Sequence, residues 1–369
     1  MRGYKVKIYP NKAQEQYLLK QIGACRYVYN YFLDLKSKTY LETGKSLSYA
    51  GMCRELTKLR HEIDWLGATQ STPLQQSLRN LDTSFNRFFR KKSKYPKFHK
   101  KGEKDTMKKV LDWSIEGNHI NITKNIAVSF RGKFPKERQA TLTITRDSSG
   151  SWWASTLGEE SRIKPKLKKK VLGIDVGIET LATLSDGTKY KNINTLKKYK
   201  ESIRTASKKL SRTQKGSNRR NKARTKLSRI HRKVGFIRQN YLHHISRAIV
   251  GKNHAVIAVE DLSVVNMMKN RKLSKAISDV SWGELLRQIE YKQIWNGGKF
   301  VKVGRFFPSS KTCSNCNFII SKLPLNIRSW NCPRCLVKHD RDINASIMIA
   351  KQAGERLGVE TGDGSVRFA

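Results

Sequence analysis

Three carboxylates and four cysteines stand where their types and spacing could do chemistry. Asp175 closes a short apolar run, Val171-Leu172-Gly173-Ile174, that reads as a buried strand. Glu260 closes a second such run, from Ala255 to Val259. Asp342 opens a segment of helical periodicity that extends to Ala353. A carboxylate in a buried strand is costly unless it binds a metal, pairs with a base or caps a neighbour. Three of them, aimed into one cleft from strand and helix ends, can hold two Mg2+ ions, or Mn2+ in their place, about 4 Å apart for phosphodiester hydrolysis. Each has a duller alternative taken singly. Glu260 can cap a turn with Asp261, and Asp342 can be an N-cap, with Asp340 competing for either role.

Cys313-x-x-Cys316 and Cys332-x-x-Cys335 are separated by fifteen residues, the spacing of a four-cysteine zinc ribbon. Four thiolates leave no open position for water, so the expected role of one Zn2+ here is structural. The residues after the two pairs, Asn317 and Leu336, stand where such a knuckle favours positive φ. Asn tolerates that conformation and Leu does so poorly, which makes the second knuckle the weaker one. Cys25 falls on an apolar helical stripe with Leu18, Ile22, Tyr29 and Phe32 and reads as a core residue.

The elements that must position these groups follow from periodicity. The Asp175 strand leads into a hairpin through Thr180–Ser185 and the turn Asp186-Gly187. Two helices follow, one marked by Leu196, Tyr199, Ile203, Ala206 and Leu210, the other by Leu227, Ile230, Val234, Ile237 and Tyr241, with a break at Gln214–Asn218. Then come the Glu260 strand, a helix opened by a capping box at Ser281–Glu284, a strand at Phe300–Val303, the cysteines, and the Asp342 helix. That order is the order of an RNase H-like α/β core.

Upstream, Tyr4–Tyr9 alternates with period two, and Asn11 with Gln14 forms a capping box for a helix. Further helices are expected over Ser48–His61 and after Pro73. Strands are expected at Leu111–Ile115, Ile120–Ile122, Ala127–Phe130, Thr141–Thr145 and Trp152–Leu157. The strands can close a small barrel with the three helices inserted after the first of them. On the helix after Pro73, Gln75, Gln76, Arg79, Asn80 and Arg87 form a polar face that either reads base edges or is simply solvated.

The charge narrows the partners. Seventy-five Lys and Arg stand against 29 Asp and Glu, a formal +46, which calls for a polyanion: nucleic acid first, an anionic membrane surface second. The sequence contains no apolar run long enough for a transmembrane helix, and Met1–Pro10 has no signal-peptide apolar core, so a cytoplasmic location is expected. Between Lys197 and His244 the only acid is Glu201. Lys208, Lys209, Arg212, Arg219, Arg220, Lys222, Arg224, Lys226 and Arg229 there are candidates for phosphate contacts.

Gly-Ile-Asp175-Val-Gly, Val-Glu260-Asp-Leu, Phe-Pro308-Ser-Ser-Lys-Thr-Cys313-Ser-Asn-Cys316 and His339-Asp-Arg-Asp342-Ile-Asn-Ala together closely resemble TnpB, the RNA-guided nuclease of small insertion sequences and a relative of compact type V CRISPR effectors. Ser274–Glu284 and Leu74–Leu81 are similar too. The resemblance runs from about Tyr4 to Ala350. It implies a catalytic triad of Asp175, Glu260 and Asp342 rather than Asp340. It implies a RuvC-like, RNase H-like nuclease core (166–305 and 341–357) with a zinc ribbon (306–340) inserted before its last helix. A β-barrel wedge domain (1–10 and 91–165) would carry an inserted helical recognition domain (11–90), and 358–369 would be a disordered tail. The implied partners are a noncoding guide RNA from the transposon end and a double-stranded DNA target, with no membrane and a monomer on its RNA. Tyr49 and Gln75 fall where the family contacts the short duplex motif beside its target. The implied location is the cytoplasm of a bacterium or archaeon, acting at the nucleoid. The departures are Asn317 and Leu336, where glycines are common. Two alternatives stand beside the nuclease reading: an RNA-guided repressor with a decayed triad, against which all three carboxylates argue, and a DNA transposase or resolvase on the same core.

Overall fold

The computed structural model describes residues 2–102, 105–110, 112–135, 141–159, 163–270, 273–305, 307–324 and 326–358. The chain divides into two compact units, Met1–Ser161 and Arg162–Ala369.

The first unit begins with β1 (Arg2–Tyr9). Four helices follow, α1 (Lys12–Thr43), α2 (Tyr49–Glu62), α3 (Asp64–Gly67) and α4 (Ser71–Phe89). Six strands complete it: β2 (Asp105–Val110), β3 (Ser114–Glu116), β4 (His119–Thr123), β5 (Ile126–Arg131), β6 (Thr141–Arg146) and β7 (Trp152–Gly158). The Asn11–Gln14 capping box opens α1 as expected, each side chain meeting the other's backbone N–H at 2.9 Å. Leu74, Leu78, Leu81 and Phe85 form the buried stripe of α4, and Cys25 lies in the same core. The strands form one sheet in the order β2-β6-β7-β1-β5-β4-β3. The expected barrel would need its end strands β2 and β3 to pair, and no such ladder exists among the described residues. The strand expected at Leu111–Ile115 is instead two strands, β2 ending at Val110 and β3 beginning at Ser114. Asp112, with φ 50°, takes the left-handed turn between them; Leu111 lies outside the described residues.

The second unit opens with β8 (Lys168–Asp175), β9 (Thr180–Leu184) and β10 (Lys189–Lys191), followed by α5 (Thr195–Lys198), α6 (Lys200–Ser211) and α7 (Asn218–Val250). β11 (His254–Glu260), α8 (Val264–Met267), α9 (Ser274–Val280), α10 (Trp282–Trp295) and β12 (Lys299–Val303) come next. A small hairpin, β13 (Ser329–Asn331) and β14 (Lys338–Asp340), runs directly into α11 (Arg341–Leu357). The sheet order is β10-β9-β8-β11-β12, with β8, β11 and β12 parallel and β9 and β10 antiparallel to their neighbours.

Period two sorts this sheet's side chains between two cores. Leu172, Ile174, Ile257 and Val259 face α7 and α10. Val171, Val256, Ala258 and Val303 face Ile349, Ala350 and Ala353 of α11. Buried on both faces, the central strands read as the unbroken apolar runs seen in the sequence.

Two expectations for this unit need correcting. Ser281 does not form a capping box. It ends α9 in the left-handed conformation, φ 57°, and its hydroxyl donates to the Ser278 carbonyl, while Glu284 pairs with Arg287. The helix expected through Leu196 and Leu210 is broken at Tyr199 into α5 and α6. The Leu196 amide at the start of α5 donates to the buried Asp279 carboxylate at 2.9 Å, a cap supplied from far along the chain. Of the expected tail, Gly358 caps α11 and residues 359–369 lie outside the described residues. No helix among the described residues is long and apolar enough to cross a membrane.

Candidate metal-dependent nuclease site

Strand parity puts two of the three carboxylates on one side. Asp175 follows Val171 and Gly173 on the face of β8 that meets α11, and Glu260 follows Val256 and Ala258 on the same face of β11. The strands are parallel with Val259 opposite Ile174, so both carboxylates emerge side by side at the C-terminal end of the sheet. This is the end where open α/β sheets bind ligands. The loop beyond Asp175 is held by the Trp282 indole, which donates to the Gly177 carbonyl at 3.1 Å.

Asp342 arrives from α11. Asp342, Ser346, Ile349 and Ala353 recur at helical spacing, and Ile349 and Ala353 pack on the sheet, so Asp342 heads the stripe that faces it. Asp340 takes the capping role: its carboxylate accepts from the amides of Asp342 and Ile343 at 3.1 and 3.0 Å and pairs with Lys189 at 2.7 Å. That division of labour leaves the Asp342 carboxylate available, with Arg328 at 3.5 Å.

The electrostatics of the three groups are coupled. Burial, then the charges of Asp342 and Glu260, push the Asp175 carboxyl up to about 7, with the Arg341 guanidinium opposing. Burial and the neighbouring Asp261 also raise Glu260. Mutually repelling, partly buried carboxylates are an arrangement that a divalent cation relieves. The three are not all within 4.8 Å of one another; among the described residues only the cysteines form so tight a cluster. A pair of ions about 4 Å apart spreads its ligands further than one ion does.

The four cysteines fit a single tetrahedral ion. Their Sγ atoms lie within 4.8 Å of one another, with Cys313–Cys335 and Cys316–Cys332 both at 3.6 Å. Zn–S bonds of about 2.3 Å would set tetrahedral edges near ~3.8 Å. The two knuckles are built alike. The amides of Asn317 and Leu336 donate back to the carbonyls of Cys313 and Cys332, and both residues adopt φ 60°.

The basic candidates divide. Lys208, Lys209, Arg212, Arg219, Lys222 and Lys226 line a cleft of about 800 Å3 between α6 and α7. Arg224 and Arg229 are exposed on α7 outside that lining. Arg220 turns inward, donating to the carbonyls of Leu210 and Thr213, and so closes the helical hairpin rather than facing a phosphate.

In the first unit, Tyr49 and the exposed Gln75 are joined by a residue that pattern reading assigned only to a polar face. Arg79, one turn beyond Gln75, donates to the Tyr49 hydroxyl at 3.2 Å and stacks over its ring at 5.2 Å. His339 and Asn344 stand in the motif around Asp342 without an assigned role, and nothing in the sequence marks Arg328.

Comparison with known proteins decides the family. A relative from Streptomyces pristinaespiralis, provisionally named an RNA-guided DNA endonuclease, is 35% identical over 97% of this chain and 91% of its own length. The chain belongs to the TnpB family. An Escherichia coli K12 member, InsQ, with the same provisional name, is 30% identical over 94% of this chain and 90% of its own. Family models match in three places: a "Probable transposase" over residues 155–271, a "Cas12f1-like, TNB domain" over 282–349 and a "Helix-turn-helix domain" over 1–45. In fold, the chain is similar to Cas12f1 solved with sgRNA and target DNA, at TM-score 0.58 and 14% identity, covering 92% of this chain and 83% of that one.

Proposed function

We propose that this TnpB-family protein is an RNA-guided DNA endonuclease that hydrolyses phosphodiester bonds at Asp175, Glu260 and Asp342. The observation that carries the reading is that Asp175 and Glu260 end the adjacent parallel strands β8 and β11 on the face that packs against α11, whose sheet-facing stripe Asp342 heads. Three carboxylates at one end of the sheet suit hard divalent cations, which take oxygen ligands. Asp175 and Glu260 would hold the ions from the sheet, and Asp342 from the helix. Bound Mg2+ would activate a water and neutralise the leaving oxygen. Asp340 keeps the first turn of α11 in place, and Trp282 steadies the loop after Asp175. A single Zn2+ on the four cysteines would be structural.

The remaining assignments follow from the same reading. The cleft between α6 and α7 would hold the phosphates of an RNA–DNA heteroduplex, while base pairing supplies sequence selectivity. Tyr49, Gln75 and Arg79 would contact the short duplex motif beside the target. The first unit would serve as wedge and recognition lobes, the second as nuclease and zinc ribbon, with one copy on its RNA.

The test expresses the Asp342→Ala protein beside its native flanking DNA and sequences the RNA that copurifies. One species with a constant body and a 3′ end reading into sequence beyond the element is expected. The wild-type complex should then cut a matching duplex in Mg2+, and Asp342→Ala should not. A smear of cellular RNA, or cleavage by Asp342→Ala at the wild-type rate, would overturn the reading.

A further inference from the structure

Asn344 lies two residues beyond Asp342 and is 1% exposed. Its side chain leaves the nuclease helix and enters the first cysteine knuckle. Oδ1 accepts from the Ser314 amide at 2.8 Å, and Nδ2 donates to the Thr312 carbonyl at 2.7 Å and the Ser309 carbonyl at 3.4 Å. Thr312 and Ser314 flank Cys313, so one amide side chain clamps the backbone that presents this thiolate. Two turns along the same helix, Lys351 donates to the Ser314 carbonyl at 2.5 Å. On the other side of Asp342, His339 sets Nε2 3.1 Å from Cys313 Sγ, and the buried Arg341 donates to the Pro324 carbonyl at 2.7 Å.

Asp342 is thus bracketed along the chain by residues that grip the ribbon. The first turn of a helix lacks the i→i−4 bonds to its own amides that steady the later turns. The first turn of α11 is held by the Asp340 cap, by Arg328, whose carbonyl accepts from the Arg341 amide at 2.9 Å and whose guanidinium lies 3.5 Å from Asp342, and by this set of contacts. Groups that orient metal ligands from outside the coordination shell are part of a metal site's affinity.

We propose that Asn344 is a positioning residue that ties the order of the Cys313–Cys316 knuckle to the placement of Asp342, so that the zinc ribbon sets the affinity of the carboxylate site for divalent cations. The inference rests on the proposed divalent-cation role of Asp175, Glu260 and Asp342. A packing role alone would change stability and leave cation affinity where it was.

The experiment titrates Mn2+ into the full-length protein with its RNA and follows free Mn2+ by electron paramagnetic resonance, with zinc content and RNA affinity measured on the same samples. Asn344→Ala is expected to bind Mn2+ about tenfold more weakly, and to need about tenfold more Mg2+ for half-maximal cleavage. Lys351→Met should shift both by a smaller factor, about threefold, in the same direction. Loss of zinc together with weakened Mn2+ binding, RNA affinity intact, is the same coupling seen from the ribbon's side. Wild-type Mn2+ affinity in Asn344→Ala, whether zinc stays or leaves, overturns the proposal. Should Asn344→Ala not fold, unchanged Mn2+ affinity in Lys351→Met overturns it instead. An Asp175→Asn control separates the two readings. If wild-type Mn2+ binding survives that change, the carboxylate site is wrongly assigned, and the role of Asn344 falls with it.

Discussion

A Cβ on Gly173 would stand 1.9 Å from the carbonyl oxygen of Ser346 and 2.7 Å from the amide nitrogen of Ala350. Backbone meets backbone there, and neither side is a flexible side chain that can swing away. Gly173 lies two residues before Asp175, and Ser346 lies one helical turn after Asp342. The missing side chain therefore sets the separation between the sheet's carboxylates and the helix's.

Gly173→Ala tests this contact. The helix must lift off the sheet, at an overpacking cost of about 3 kcal/mol or more. Cleavage is expected to be lost while the α6–α7 cleft still binds RNA. Thermal unfolding and Mg2+-dependent nicking read both. An unchanged melting temperature would mean that α11 does not sit this close.

Acidity at Asp175 predicts a pH dependence whose sign can be worked out. Its carboxyl titrates near 7 in the fold, against an ordinary value of 3.8. Between those values the folded state keeps a proton that the unfolded chain has lost. The associated stabilisation is fully present below about pH 4 and is lost as the pH rises through about 7, at most ~4 kcal/mol. Metal-free protein should therefore melt higher at about pH 5.5 than at about pH 7.5, and Asp175→Asn should shrink the difference. Cation binding expels that proton, so the Mg2+ needed for half-maximal cleavage should fall as pH rises from about 6 to about 8. A flat Mg2+ requirement over that range would contradict the assignment.

Leu336 holds φ 60° while its side chain is 79% exposed. A branched residue in the left-handed region costs roughly 1–2 kcal/mol, and little packing would be lost with this one. Leu336→Gly should slow zinc transfer to a chromogenic chelator several-fold. The gain is partly offset by the greater freedom of glycine in the unfolded chain. Asn317→Gly at the equivalent position should change the rate less, because Asn tolerates this conformation.

Salt dependence separates the basic residues by role. Replacing Lys208, Lys222 or Lys226 with Ala should each reduce the slope of log affinity against log salt by about one, as a single lost phosphate contact does. Arg220→Ala should leave the slope nearer its original value and lower the thermal stability of the hairpin, since its guanidinium serves the turn carbonyls. Equal slope changes for Arg220 and Lys222 would show that both face the nucleic acid.

Where periodicity and chemistry agreed, the sequence was readable. The apolar runs ending in Asp175 and Glu260 announced the central parallel strands, because a strand buried on both faces has no polar positions to interrupt it. The cysteine spacing announced the knuckles, and the strain at Leu336 followed from residue type alone. What escaped was decided by local backbone geometry or by distant partners. Asp112 and Ser281 take left-handed conformations that redirect an otherwise plausible strand and helix start. Asp279 caps α5 by accepting from the Leu196 amide from far along the chain. Asn344 looked like any polar residue on a helix, since its three partners lie in a knuckle some thirty positions earlier. Residue pattern alone left Asp340 and Asp342 as competing caps; the family resemblance favoured Asp342 for the triad, and the geometry shows Asp340 doing the capping.

The close seat of α11 on β8 also bears on biosynthesis. β8 is made early in its unit and α11 late, and neither Gly173 nor Asp175 has its partner until residues beyond 342 have left the ribosome. The basic hairpin of α6 and α7 is complete long before that point. A nascent chain would thus complete the basic hairpin first and bring the three carboxylates together only afterwards.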